Sequence, residues 1–138
     1  MPQHITRFTV PGIPAMAESK EPWMNQVALF ANQIYHAPPM LGAVKLVIEF
    51  TFLRPKSHFG TGRNSLRLKP FAPAYMTKKP AVSKMVRAVE DALTGIVWKD
   101  ASQVVRQDAL KRYGDRPGAE ITIIEIGAEQ QITGGITG

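Results

Sequence analysis

Few of the side chains that ordinarily carry chemistry stand in a usable arrangement in this chain. Cysteine is absent, which removes thiol nucleophiles and thiolate metal sites and fits a reducing cytosol. His4, His36 and His58 are far apart and show no HExxH-type spacing, so they read as surface histidines rather than metal ligands. Gly60-Thr61-Gly62 lacks the GxxxxGK(S/T) pattern that cradles nucleotide phosphates, and there is no Gly-x-Ser-x-Gly elbow to present a serine nucleophile. The chemistry left to consider is that of charge: a run of lysines and arginines, followed closely by the carboxylates of Glu90, Asp91 and Asp100.

The net charge is +6, and its distribution matters more than its size. Between Glu49 and Glu90 there is no acidic residue, yet that interval holds nine of the 17 lysines and arginines. The rest of the chain carries eight basic residues against all 11 acidic ones, a balance of −3, so one segment supplies the whole positive excess. A contiguous field of that sign favours a polyanion, most simply the phosphates of nucleic acid. A solvated basic loop that only aids solubility is the competing reading. Arg67, Lys69, Lys78, Lys79, Lys84 and Arg87 are the candidate DNA-binding residues.

The elements that must position them can be read from periodicity. His4–Val10 alternates and stops at Pro11-Gly12, a first strand. Glu21–Tyr35 reads as a helix, with Pro22 in its first turn and an apolar stripe of Trp23, Val27, Phe30, Ala31 and Ile34. Ala43–Leu53 alternates in part and reads as a second strand, ended by Pro55. Arg54–Thr77 shows no regular period and contains three prolines and two glycines. A loop this long within a compact domain is more often functional or disordered than incidental. Its Phe59, Phe71 and Tyr75 are placed either to stack on bases or to pin the loop to the core. Ala81–Leu93 reads as a second helix, ended by Gly95, with Val82, Met85, Val86, Val89 and Leu93 as its apolar stripe. Strands over Gln103–Tyr113 and Glu120–Ile126 follow, joined by a turn at 114–118. The order β-α-β-loop-α-β-β predicts an α/β (α+β) fold, a mixed four-stranded sheet with two packed helices. One domain over 1–127 is expected, with 128–138 a flexible tail. No apolar run approaches the ~18–20 residues of a membrane span, and MPQHITRFTV lacks the pattern of a signal peptide. The expected location is the cytoplasm.

The stretch 79–104, KPAVSKMVRAVEDALTGIVWKDASQV, resembles the signature of the RusA-type Holliday junction resolvases. In that family Lys-Pro-Asp-x-Asp opens a helix bearing a basic residue one turn later. Asp-Ala-Leu-x-Gly, an aromatic and Asp-Asp-x-Gln follow. The matches are Lys79-Pro80, Arg87, Asp91-Ala92-Leu93, Gly95, Trp98, Asp100 and Ser102-Gln103, and Phe8–Pro14 resembles the family's first strand and turn. The resemblance, which covers roughly residues 5 to 126, implies a homodimer in a bacterial or phage-infected cell. It also implies binding to four-way DNA junctions in recombination and repair, and phosphodiester hydrolysis by magnesium held on clustered aspartates. Magnesium takes hard oxygen ligands, activates water and neutralises charge on the phosphoryl oxygens.

The departure from the signature is confined to the ligands. Ala81 and Ser83 stand where the family has its first two aspartates, and Ala101 where it has the second of the Asp-Asp pair. The surrounding framework is intact, a pattern of conversion to a binding-only protein or of deliberate inactivation. Asp100 is the best remaining candidate metal ligand and, with Asp91, the candidate catalytic pair. Asp91 near the helix end also suits a structural role, and Glu90 is placed for an i, i+3 ion pair with Arg87. Three readings follow: a resolvase scaffold that binds junctions without cutting or holding Mg2+, an active metal nuclease using Asp91 and Asp100, or a non-catalytic nucleic-acid-binding or architectural module.

Overall fold

A computed structural model describes residues 4–14 and 21–126, so the expected tail lies outside the described residues. The elements are β1 (His4–Pro11), α1 (Glu21–Ile34), β2 (Ala43–Leu53), α2 (Val82–Leu93), β3 (Val104–Gly114) and β4 (Gly118–Ile126). Single 3-10 turns occupy Lys56–His58, Gly62–Asn64 and Ala101–Gln103. The four strands form one mixed sheet in the order β1-β4-β2-β3, antiparallel except for the β2–β3 pair. This is the expected mixed four-stranded sheet with two helices.

Strand alternation explains which face of the sheet holds the core. Val44, Leu46, Ile48 and Phe50 of β2 are all buried, and Ile123, Ile121 and Ala119 of β4 lie opposite the last three. Phe8 and Val10 of β1 extend the same face. Onto it pack Trp23, Val27 and Ala31 of α1 with Met85, Val86, Val89 and Leu93 of α2. Full burial of such a side chain is worth roughly 1.5–3 kcal/mol, and a one-residue slip of β2 would turn all four of its core residues to the other face. That other face is polar: Arg112 pairs with Glu49 at 2.6 Å, and Arg7 Nε donates to Thr122 Oγ1 at 3.2 Å.

Two boundary expectations need correction. Ile34 does not join the buried stripe of α1 but is 51% exposed. The buried series runs 23, 27, 31, 35 in steps of four, so the contact line drifts round the helix until Tyr35 takes the core position. Tyr35 retains a backbone bond to Ala31 O and donates its hydroxyl to Pro38 O at 2.7 Å. Gln103 does not begin β3; it closes the preceding 3-10 turn with its side chain.

Candidate nucleic-acid interface

Four of the six basic residues singled out from the sequence, Lys78, Lys79, Lys84 and Arg87, lie just before α2 or in its first turns. Ala81 is the N-cap residue, with φ −67° and ψ 143°, and its methyl offers no cap to the first-turn amides. The helix has no acidic residue in that turn either, so its positive end is left uncompensated by the chain. Lys78, Lys79, Lys84 and Arg87 are all exposed here. The segment leading into the helix is held from β3: Lys111 Nζ donates to Lys78 O and to Pro80 O, each at 2.7 Å. Lys79 is thus presented between two anchored carbonyls. Lys111 was not singled out from the sequence. Its one available signal is parity, because it neighbours buried Phe50 and so lies on the helix-facing side of its strand.

The other end of α2 is built differently. Thr94 Oγ1 donates to Glu90 O at 2.7 Å and accepts from Trp98 Nε1 at 2.9 Å, which satisfies the indole of a fully buried Trp98. Gly95, at φ +91°, makes the left-handed exit that glycine adopts without steric cost. Asp100 Oδ1 accepts from Ser102 N at 2.8 Å, and Gln103 Oε1 accepts from Asp100 N at 2.7 Å and Lys99 N at 2.9 Å. Gln103 Nε2 donates in turn to Met40 O and Gly42 O, tying this turn to the approach to β2.

A family model for endodeoxyribonuclease RusA matches residues 3–124. The chain belongs to the RusA endodeoxyribonuclease family. It is also similar to the uncharacterized protein YqaN of Bacillus subtilis (strain 168), 36% identical over 107 residues, covering 74% of this chain and 71% of that protein.

The RusA framework that survives in the motif is therefore the part that holds the local fold. Gly95, Trp98, Asp100 and Gln103 each fill a hydrogen-bonding, packing or backbone requirement that does not depend on a metal. The positions aligned with the RusA ligands do not converge within one chain. Lys111 lies beside Pro80, whereas Gln107 Nε2 donates to Glu90 Oε1 at 2.7 Å, so β3 runs opposite to α2. Ala81 and Ser83 are consequently at one end of α2 and Ala101 beyond the other. The 12 residues of the helix alone span about 18 Å.

The remaining acids are each engaged. Arg87 Nε meets Asp91 Oδ1 at 3.5 Å, so the ion pair expected with Glu90 goes instead to Asp91, at i, i+4. Glu90 turns toward Gln107 on β3, and partial burial pushes its carboxyl above the usual range despite the Gln107 bond and nearby Arg87. Asp100, the expected metal ligand, caps a turn. The Ser102 backbone N–H, followed by the Ser102 hydroxyl, holds its carboxyl below the usual range. Among the described residues no three carboxylate or imidazole groups are placed to share a metal ion. Among the described residues, Ala81, Ser83 and Ala101 with Asp91 and Asp100 do not fit the magnesium centre that the family implies.

The long loop is ordered rather than featureless. Phe59 bridges Leu68, Gly60 N donates to Arg67 O, and Lys69 N donates to His58 O. Arg54 Nη1 donates to Pro73 O at 2.7 Å, while Tyr75 bridges Arg112 of β3. His58 packs edge-on against Tyr113 with centroids 4.8 Å apart, so it is an internal brace of the loop rather than a free surface histidine. Arg67 and Lys69 are exposed on this loop. No described helix is long and apolar enough to cross a membrane.

Proposed function

We propose that this RusA-family chain is a junction-binding scaffold that grips branched DNA in the cytoplasm and does not cut it. The observation that carries the reading is the contrast between the cations that α2 and its approach keep exposed and the carboxylates they lack. Lys78, Lys79, Lys84 and Arg87 are exposed, with the Lys78–Pro80 segment held by Lys111, while positions 81, 83 and 101 offer no carboxylate and Asp100 and Asp91 are engaged in a cap and in the ion pair with Arg87.

Binding then rests on phosphate contacts. If Arg67, Lys69, Lys78, Lys79, Lys84 and Arg87 each neutralise one phosphate, the slope of log K against log salt is about −5 for one protomer. The separation of position 101 from positions 81 and 83 also supports a homodimer. A family-type ligand set at those positions needs two copies of the chain, and a two-fold assembly matches the approximate two-fold symmetry of a four-way junction.

Gel-shift competition between four-way junctions, linear duplex and single strands, with magnesium present, tests the reading. Selective junction binding that weakens steeply with salt supports it. Equal affinity for junction and duplex, or a nearly flat salt response, contradicts it. Light scattering should show a dimer at micromolar concentration; a monomer with and without DNA removes that part of the proposal.

A further inference from the structure

From the presentation of one aromatic ring we infer that Phe71 is a stacking platform for an unpaired DNA base. The inference rests on the junction-binding reading above. Phe71 is 97% exposed, the highest exposure among the large hydrophobic side chains of the described residues, with Leu66 close behind at 92%. Phe59 in the same loop is partly buried and its backbone bridges Leu68, while Tyr75, 61% exposed, has its backbone tied to Arg112 of β3. Stacking and pinning were both open for these three aromatics, and Phe71 is the one presented most fully to solvent.

A single exposed apolar side chain is ordinary. Phe71 differs in how firmly it is held out. It occupies the third position of a turn closed by Ala72 N donating to Lys69 O at 3.1 Å. Pro70 and Pro73 on either side have φ restricted by their rings, and the Arg54 guanidinium clamps Pro73 O at 2.7 Å. Lys69 is tied back to His58 O at 2.9 Å. The ring therefore gives up little backbone freedom when something settles on it. Beside it, an open pocket of ≈ 310 Å³ is lined by residues that include Ser57, His58, Pro70 and Phe71.

Charge selects the occupant. Arg63, Arg67 and Lys69 share this loop, and no acidic residue lies between Glu49 and Glu90. Two copies of such a surface repel each other, which disfavours a second chain as the partner. A nucleic acid satisfies both features, because phosphates meet the cations while a base offers a π-face to the ring. In a fully stacked duplex that face is covered, whereas at a branch point or an unpaired position it is available. Stacking on Phe71 thus favours distorted DNA over linear duplex without reading sequence.

The test uses the whole chain with three DNAs carrying 2-aminopurine: at the branch point of a four-way junction, within a linear duplex, and as a single unpaired base in a duplex. Wild-type binding should change the fluorescence of the branch-point and unpaired probes. Phe71→Ala should abolish that change and weaken binding to the unpaired-base DNA about 5- to 100-fold, leaving the salt slope unchanged, and Phe71→Trp should restore both. Arg67→Gln, by contrast, should lower the salt slope by about 1 and keep the fluorescence change. Unaltered fluorescence and affinity in Phe71→Ala overturn the inference, as does a smaller assembly mass in that variant, which would assign the ring to a second copy. If wild-type chain prefers neither junction nor duplex, the junction-binding reading falls, while the unpaired-base DNA still decides the stacking role.

Discussion

Replacing Ala81 with aspartate tests the local physics of α2 independently of any chemistry. Ala81 is exposed and has the extended backbone that N-cap residues adopt, so an aspartate there needs no rearrangement. Its carboxylate would accept from the N–H of Ser83 or Lys84, neither of which has a side-chain cap in the chain as it stands. A cap exchanged for alanine is typically worth ~1 kcal/mol, and a negative charge at the positive end of the helix adds roughly 0.3–1 kcal/mol. Nearby Lys78, Lys79 and Lys84 act in the same direction. A gain of about 1.3–2 kcal/mol in a domain of this size raises Tm by about 4–9 °C. Thermal and urea unfolding in metal-free, chelator-containing buffer measure it without a contribution from metal binding. Ala81→Asn should retain most of the gain, since it caps without charge. The part of the aspartate gain that exceeds the asparagine gain should be lost on acidification, because protonation removes the charge that interacts with the helix dipole and the lysines. Unchanged or lower stability in both variants would refute the account of this helix start. A gain carries a corollary: an acid at position 81 serves the helix as a cap whether or not it also holds a metal.

Other outcomes follow from the same geometry. Lys111→Met strips two carbonyls of a charged donor, and at 1.5–3 kcal/mol for hydrogen bonds to charged groups, discounted for partial exposure, it should cost about 1–2 kcal/mol in urea unfolding. It should also weaken junction binding in a gel shift by releasing Lys79. Gln103→Ala removes four hydrogen bonds, two within the turn after α2 and two that join it to Met40 and Gly42, and should cost about 2–4 kcal/mol by the same assay. Glu90 has a raised folded-state pKa, so it lowers stability as pH climbs from the ordinary glutamate range through that raised value. Glu90→Gln should therefore flatten the stability profile across that window and stabilise the chain at neutral pH, as followed by unfolding at stepped pH.

Much of the fold was legible because its signals are local and periodic. Val44 to Phe50 alternates in burial throughout and in sequence except at Val47, and the α2 stripe of Met85, Val86, Val89 and Leu93 is buried as its spacing requires. Ile34 was misread because strict helical periodicity does not register the slow drift of a contact line whose steps are four residues. The site was legible as a motif and as a charge field, but its geometry was not. Whether Arg87 reaches Glu90 or Asp91 depends on Gln107, seventeen residues away on another element, which draws Glu90 aside. That Asp100 caps a turn could be read only once the Ser102 amide was in place. The separation of position 101 from 81 and 83 likewise depends on the antiparallel packing of β3 on α2, a tertiary relation with no trace in local spacing.

The central claim is binding without cutting, and a cleavage assay tests it most directly. Four-way junction DNA is incubated with magnesium or manganese and either the unmodified chain or Ala81→Asp/Ser83→Asp/Ala101→Asp, with junction binding measured alongside. The account predicts that the unmodified chain binds the junction and leaves it intact, because among the described residues no group of carboxylates is placed to hold the metal that would activate water, while the triple variant regains paired cuts. Symmetric cleavage by the unmodified chain at a rate comparable to the triple variant would contradict it.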